Sequence, residues 1–413
     1  MRETHDGGLN TFRRRYRIAT PLRLESRDSW PIDEHALYAR FRGRRHHPDP
    51  DGLRIVLAGE LAFNPERVLA FEERGHQLYG VWIEDPLADQ TVGPLPFGHV
   101  RDLPDRGWRE AIRAVRPDVI YGLLNWRAIP LVHTILDADL GVPLVWHFKE
   151  APQRCLVRGT WPLLADLHRH ADAAIYSTAL ERDWFEAALP GTRDPATTHV
   201  VDGDLPKADW FDPALRPRLS DIDGQIHTVS LGRPVGFDAG FVGQLAAHGI
   251  HLHLYGLVRA PGPKGAWTAW IDDAVAAAPD HLHIHPHVDP RSWSTELSQY
   301  DAGWMHRVIS SNRGDLTRAT WDDLNAPARL SVLAAAGVPV LQQASPGSAV
   351  AVQNLVAERG IGMLYDDVDD LAAKLHDTEH VNRCRGAVAT QGRDFTFDAH
   401  VDRLLRIFRS VVR

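Results

Sequence analysis

At 413 residues, with 44% hydrophobic and 24% charged side chains, the chain has the composition of a globular protein and is long enough for two cores rather than one. Its formal net charge of −8 argues against a general nucleic-acid binder, and no run of about 18 uninterrupted apolar residues marks an integral membrane span. Cys155 and Cys384, the two cysteines, lie far apart and offer neither a disulfide framework nor a thiolate zinc site, and the polar start MRETHDGGLN points to a cytoplasmic location.

Residues 1–52 are rich in Arg, with RRRYR at 13–17 and RGRRHHPDPDG at 42–52. They read as an N-terminal extension that salt-bridges its own acidic body or makes peripheral contact with an anionic membrane. Lys occurs only at 149, 207, 264 and 374, a bias that fits a GC-rich bacterial genome, so Arg enrichment alone says little about function. From Leu53 the pattern becomes strand and helix in alternation: LRIVLAGE, NPERVLAFEERGH and HQLYGVWIE make a βαβ unit. GWREAIRAVRPDVIYGL adds a helix, a Pro stop and a strand, and GVPLVWHFKE gives a strand ending in charged residues. Residues 53–205 are therefore expected to form a doubly wound domain.

An Asp- and Pro-rich stretch from about 195 to 224 reads as a connection, and a second alternating series occupies 225–375. Its most informative segment is Asp322–Leu341. Asn325 suits a helix cap and Pro327 the first helical turn, so that free backbone N–H groups are presented to an anion. Arg329 adds a planar fork of donors matched to phosphate oxygens. Gly337 ends the helix and Val338–Leu341 reads as the strand that follows. Residues 376–413 form a C-terminal helical segment, in which Val401, Leu404, Leu405, Phe408 and Val411 recur near helical spacing and mark a face that packs back on the body.

Five segments occur in order along the second half: SLGRPVG at 230–236, HLYG at 253–256, HPHVDPRSW at 285–293, YDAGWMH at 300–306 and DLNAPARLSVLAAAGVPVL at 323–341. Together they resemble the nucleotide-sugar domain of a GT-B glycosyltransferase of the family 4 (group 1) type. The resemblance implies an α/β fold of two doubly wound Rossmann-like domains facing a cleft. A nucleoside-diphosphate sugar would be the co-substrate, with no other cofactor. It also implies roles: Arg233 near the distal phosphate or sugar, Tyr255 and Gly256 beside the nucleotide, and Pro286, His287 and Val288 around the base. Asn325 and Arg329 would hold the diphosphate. One departure is plain, because the two Glu that many retaining members carry are replaced by Leu324 and Val332. His306 and Asp323 are the polar groups nearest that gap.

Transfer from a nucleotide sugar needs a stabilised leaving diphosphate and, for inversion, a base for the acceptor. Arg233, Arg329 and the helix start can neutralise the leaving group without a metal. The only DxD-like letters, DGD at 202–204, sit in the Pro-rich connection and read as a turn. His147 and Glu150 at the end of VPLVWHFKE, and Glu60 at the end of the first strand, are the candidate catalytic groups; each is otherwise a polar strand terminus. His283, His285 and His287 alternate on one strand and His251 and His253 on another, but no carboxylate or Cys completes a zinc set, so they read as strand histidines rather than ligands. The acceptor is a small molecule, a saccharide or a protein. Two alternatives stay open: a sugar-nucleotide epimerase of the same fold, and a non-catalytic sugar-nucleotide binding or partner subunit.

Overall fold

The computed structural model describes residues 47–59, 65–82, 99–104, 106–211, 216–255, 270–285 and 293–412. The RRRYR arm, Glu60, Gly256, Pro286, His287 and Val288 lie outside them. The described residues fall in two compact units, one running to Gly203 and resuming at His400, the other spanning Asp204–Ala399.

In the first unit β1 (Arg54–Gly59), α1 (Pro65–Glu73), β2 (Gln77–Trp82), β3 (Arg101–Asp102), α2 (Trp108–Val115), β4 (Val119–Leu124), α3 (Ile129–Asp137) and β5 (Leu144–Phe148) come in sequence. They are followed by α4 (Pro152–Arg158), α5 (Trp161–His170), β6 (Ala173–Tyr176), α6 (Ala179–Ala188) and β7 (Thr198–Val200). The strands form one sheet in the order β3-β2-β1-β4-β5-β6-β7, all pairings parallel. Runs such as VIYGLL and LVWHF are buried along their whole length, as strands covered by helices on both faces must be.

The second unit contains α7 (Ser220–Asp223), β8 (Ile226–Leu231), α8 (Ala239–Ala247), β9 (Ile250–Tyr255), α9 (Ile271–Ala277), β10 (Leu282–His285), α10 (Trp293–Leu297) and β11 (Ala302–Trp304). Then come α11 (Trp321–Leu324), α12 (Ala328–Ala335), β12 (Val340–Gln343), α13 (Ala351–Arg359), β13 (Gly362–Tyr365), α14 (Val368–His376) and α15 (Thr378–Gln391). Its sheet has the order β10-β9-β8-β11-β12-β13, again parallel throughout.

The last helix, α16 (Phe397–Val411), carries the chain back to the first unit. Val401, Leu404, Leu405 and Phe408 are buried there, and the Phe408 ring lies 4.9 Å from that of Tyr121 and 5.8 Å from that of Phe71. A bond from Arg74 Nε to Asp402, 2.6 Å long, fixes its outer face.

The strand after α12 begins two residues later than its apolar run. Gly337, at φ +77°, closes the helix in a Schellman motif in which Gly337 N–H donates to Ala334 O and Val338 N–H to Leu333 O. Val338 is thus committed to the helix end, Pro339 has no N–H to give, and ladder pairing starts at Val340.

Candidate functional site

The loops at the carboxyl ends of β8, β11 and β12 gather the polar residues of the second unit. Gly232 turns the chain out of β8 at φ +68°, a region in which a side chain is strained, and its N–H donates to Tyr255 O at the end of β9. This turn presents Arg233, whose guanidinium sits 5.8 Å from the Trp321 ring.

Arg329, the second residue of α12, is 8% exposed. Its Nη2 donates to Arg233 O at 2.5 Å and its Nη1 to Ser230 Oγ at 3.3 Å. Both acceptors are neutral, and no described carboxylate forms an ion pair with Arg329. Burial, and then the like charge of Arg233, pull its pKa down to about 9, so it remains a cation at neutral pH. A buried cation held only by neutral groups beside a second cation is costly unless an anion joins it.

The start of α12 differs from expectation. Asn325 does not cap it; Asn325 N–H donates to Trp321 O and closes α11 instead. Pro327 is the N-cap, with no side-chain bond; Leu330 N–H donates to Pro327 O, and no described side-chain oxygen caps the first turn of α12. Asp323 is also occupied, since its Oδ2 accepts both the N–H and the Oγ–H of Thr320 and locks α11. Asn325 lines a small pocket together with His306, Asp322, Asp323 and Gln342. His306 Nδ1 lies 2.9 Å from Asp322 Oδ1. Burial lowers the ring's pKa despite that carboxylate, and Arg329 and Arg233 lower it further. The neutral ring therefore donates from Nδ1 to Asp322 and keeps Nε2 as an acceptor.

Tyr255 is enclosed, its hydroxyl 2.5 Å from both Glu296 Oε1 and Tyr300 OH and its ring stacked at 4.4 Å on His285. The strand histidines form a ladder across β8, β9 and β10. His227 pairs with His253 at 2.9 Å, His253 with His285 at 2.8 Å and His251 with His283 at 2.9 Å. Asp223 and Gln225 hold the outer ends at His227 and His251. Among the described residues no group of three or more His, Cys, Asp or Glu has the geometry of a metal site.

In the first unit His147 is fully buried. Its Nε2 donates to Val201 O at 2.9 Å, and its Nδ1 accepts from Tyr121 OH at 2.5 Å. Burial drives its pKa well below 6.5. Both nitrogens are engaged, so His147 braces β4, β5 and the chain after β7 and has no free nitrogen for an acceptor proton; this corrects its expected role as a base. Glu150 is half-buried at the end of β5, next to the Lys149–Asp202 ion pair. That pair uses the first residue of the DGD letters.

Glu181 is a group that sequence reasoning passed over. It is 4% exposed, its Oε2 accepts Ser177 N–H at 2.9 Å, and its own N–H is capped by Thr178 Oγ1. The T-x-x-E spacing of a capping box was the available signal.

No protein-family model matches the chain, and no curated protein matches it. Solved structures do. Sucrose-phosphate synthase from Thermosynechococcus elongatus aligns with a TM-score of 0.59 at 14% identity, covering 87% of this chain and 99% of that one. Anabaena HepE in complex with UDP-glucose aligns at 0.55 and 12% identity over 87% and 98%. The O-GlcNAc transferase of Thermobaculum terrenum aligns at 0.50 and 17% identity over 89% and 70%. The likeness is one of fold: the two parallel α/β units are those of the GT-B architecture.

Proposed function

We propose that the protein is a glycosyltransferase that moves a sugar from a nucleoside-diphosphate sugar to an acceptor, with Arg329, Arg233 and the first turn of α12 stabilising the leaving diphosphate. The carrying observation is the buried Arg329 guanidinium, which has neutral partners and a second guanidinium beside it. A diphosphate supplies the missing countercharge. The UDP-glucose held by HepE on the same fold supports this ligand class.

Breaking the bond between the sugar carbon and the phosphate oxygen builds negative charge on the diphosphate. Guanidinium donors and helix N–H groups placed there act more strongly in the transition state than in the ground state, which is what lowers the barrier. His306, kept neutral and oriented by Asp322, offers Nε2 to a hydroxyl of the donor sugar. Leu324 and Val332, which stand in place of the retaining enzymes' acidic pair, are buried apolar side chains and offer the sugar nothing. In the first unit we assign Glu150, half-buried just after β5, to take the acceptor proton.

Incubation with UDP, GDP, TDP and ADP sugars, followed by chromatography of the nucleotide, tests the proposal. Release of one nucleoside diphosphate, reduced at least about tenfold by Glu150→Gln as expected for loss of a general base, is the predicted result. Isomerised donor with no nucleotide released would identify an epimerase instead. Binding with neither reaction would identify a sugar-nucleotide binding subunit.

A further inference from the structure

Three guanidinium groups crowd one indole at the carboxyl end of the first unit's sheet. Trp126 follows β4, and the centroid of its ring lies 3.8 Å from the Arg158 guanidinium, 5.1 Å from that of Arg127 and 6.0 Å from that of Arg154. Cation–π contact offsets part of their mutual repulsion, and no described carboxylate forms an ion pair with Arg154 or Arg158. Between those two arginines, α4 buries Pro152 and Cys155 and leaves Leu156 52% and Val157 89% exposed. Two adjacent aliphatic side chains therefore project into solvent between the two arginines of a helix whose other polar side chain is the neutral Gln153 and which Glu150 precedes by two residues.

We propose that this face docks on an anionic phospholipid surface, Leu156 and Val157 entering the boundary between headgroups and acyl chains while Arg127, Arg154 and Arg158 meet lipid phosphates. Trp126 has the amphipathic ring that settles at that depth. The exposure favours a surface over a pocketed ligand, because Val157 is 89% and Leu156 52% open to solvent. The chemistry favours lipid over nucleic acid: a phosphodiester backbone satisfies the arginines and the indole but gains nothing from Leu156 and Val157. A chain of net charge −8 is repelled by an anionic bilayer as a whole, so attraction confined to one cationic face also orients the protein. Docking here brings the ligand-side end of the first sheet to the bilayer and suits an amphiphilic acceptor. That last extension rests on the transferase reading; the docking itself does not.

Flotation of the full-length protein with vesicles tests the proposal, comparing a mixture of phosphatidylglycerol and phosphatidylcholine with phosphatidylcholine alone. Each arginine near an anionic surface is worth about fivefold in partitioning. Arg154→Glu with Arg158→Glu is therefore expected to reduce flotation on the order of 25-fold or more, and 0.5 M NaCl, by shortening the screening length to a few ångströms (~4 Å), to release the wild type. Leu156→Ser with Val157→Ser should weaken flotation while leaving retention on immobilised heparin unchanged. Val157→Ser alone, at a position already exposed, gives the same readout with no burden on folding, and melting followed by circular dichroism verifies each variant. The proposal is overturned by a wild type that does not float with phosphatidylglycerol. It is also overturned by flotation undiminished in both double variants, which would place the attraction elsewhere in the chain, or by dependence on the arginines alone, which would mark a site for a soluble polyanion. Nucleotide binding, measured on the same variants, should stay unchanged, which separates this outcome from any failure of the donor site.

Discussion

Glu181 carries a residue-scale consequence of burial. Removal from water lifts its carboxyl to about 8, against the Ser177 N–H and the charge of Lys149, which both favour the anion. The neutral acid is the form the fold prefers, so its contribution is fully present below the unfolded value near 4.5 and is lost as pH rises through 8. Glu181→Gln should melt close to wild type at pH 5 and be the more stable protein at pH 9, by on the order of 3 kcal/mol; equal differences at the two pH values would show that the carboxyl is not held neutral. The same scale shows what was legible. Arg233, His306 and Arg329 stood out because each polar residue borders an apolar strand or helix. Their partners did not, since Ser230 reaches Arg329 across 99 positions and Asp322 reaches His306 across 16. Nor can a sequence show that His147, at the end of an apolar strand, has both nitrogens occupied.

At the scale of elements, the histidine ladder ties β8, β9 and β10 together by side chains as well as by backbone. The alternation of His251 with His253 and of His283 with His285 was visible in the sequence. The in-register pairing that places His251 beside His227 and His253 beside His283 belongs to the sheet. Burial first, and then the neighbouring imidazoles, pull His251 down to about 4 and His253 lower still. Asp223 opposes the shift at the His227–His251 end and Glu296 at the His285 end. A base depressed in this way stabilises the fold above its unfolded value near 6.5 and loses that stabilisation as pH falls toward 4. With the two buried rings alone, unfolding takes up two protons, and stability should fall by about 2.7 kcal/mol per pH unit in that window. Urea unfolding at pH 7, 6 and 5 reads the slope, and His253→Phe should reduce it by about one proton. An unchanged slope in the variant would mean that other groups govern the acid limit.

At the scale of the molecule, the chain leaves the first unit at Gly203 and returns to it at His400. The amphipathic spacing of residues 401–411 announced a packed helix, but only the fold shows that its partners are Phe71 and Tyr121, some 300 residues earlier. Val401, Leu404, Leu405, Ile407 and Phe408 are all buried. At about 1.5–3 kcal/mol each, they account for as much as a whole domain's stability of roughly 5–15 kcal/mol. A chain ended at Ala399 should lose the cooperative melting of the first unit and keep that of the second; retention of both transitions would show that the helix is an accessory. The alternation of strands and helices made the two-sheet architecture readable, because parallel strands covered on both faces are written as continuous apolar runs. Of the proposed anion site, the sequence offers only a helix start with an Arg; that Arg329 has neutral partners is a property of the folded loops. Calorimetric titration of wild type and Arg329→Met with UDP, GDP, TDP and ADP therefore tests the central claim most directly. A diphosphate bound through charge-assisted bonds worth about 1.5–3 kcal/mol each should lose about 10- to 100-fold in affinity in the variant, while the melting temperature of the free protein stays level or rises because a buried cation is gone. Equal affinity in both proteins, or no binding of any nucleotide by the folded wild type, would contradict the assignment of Arg329 to a diphosphate.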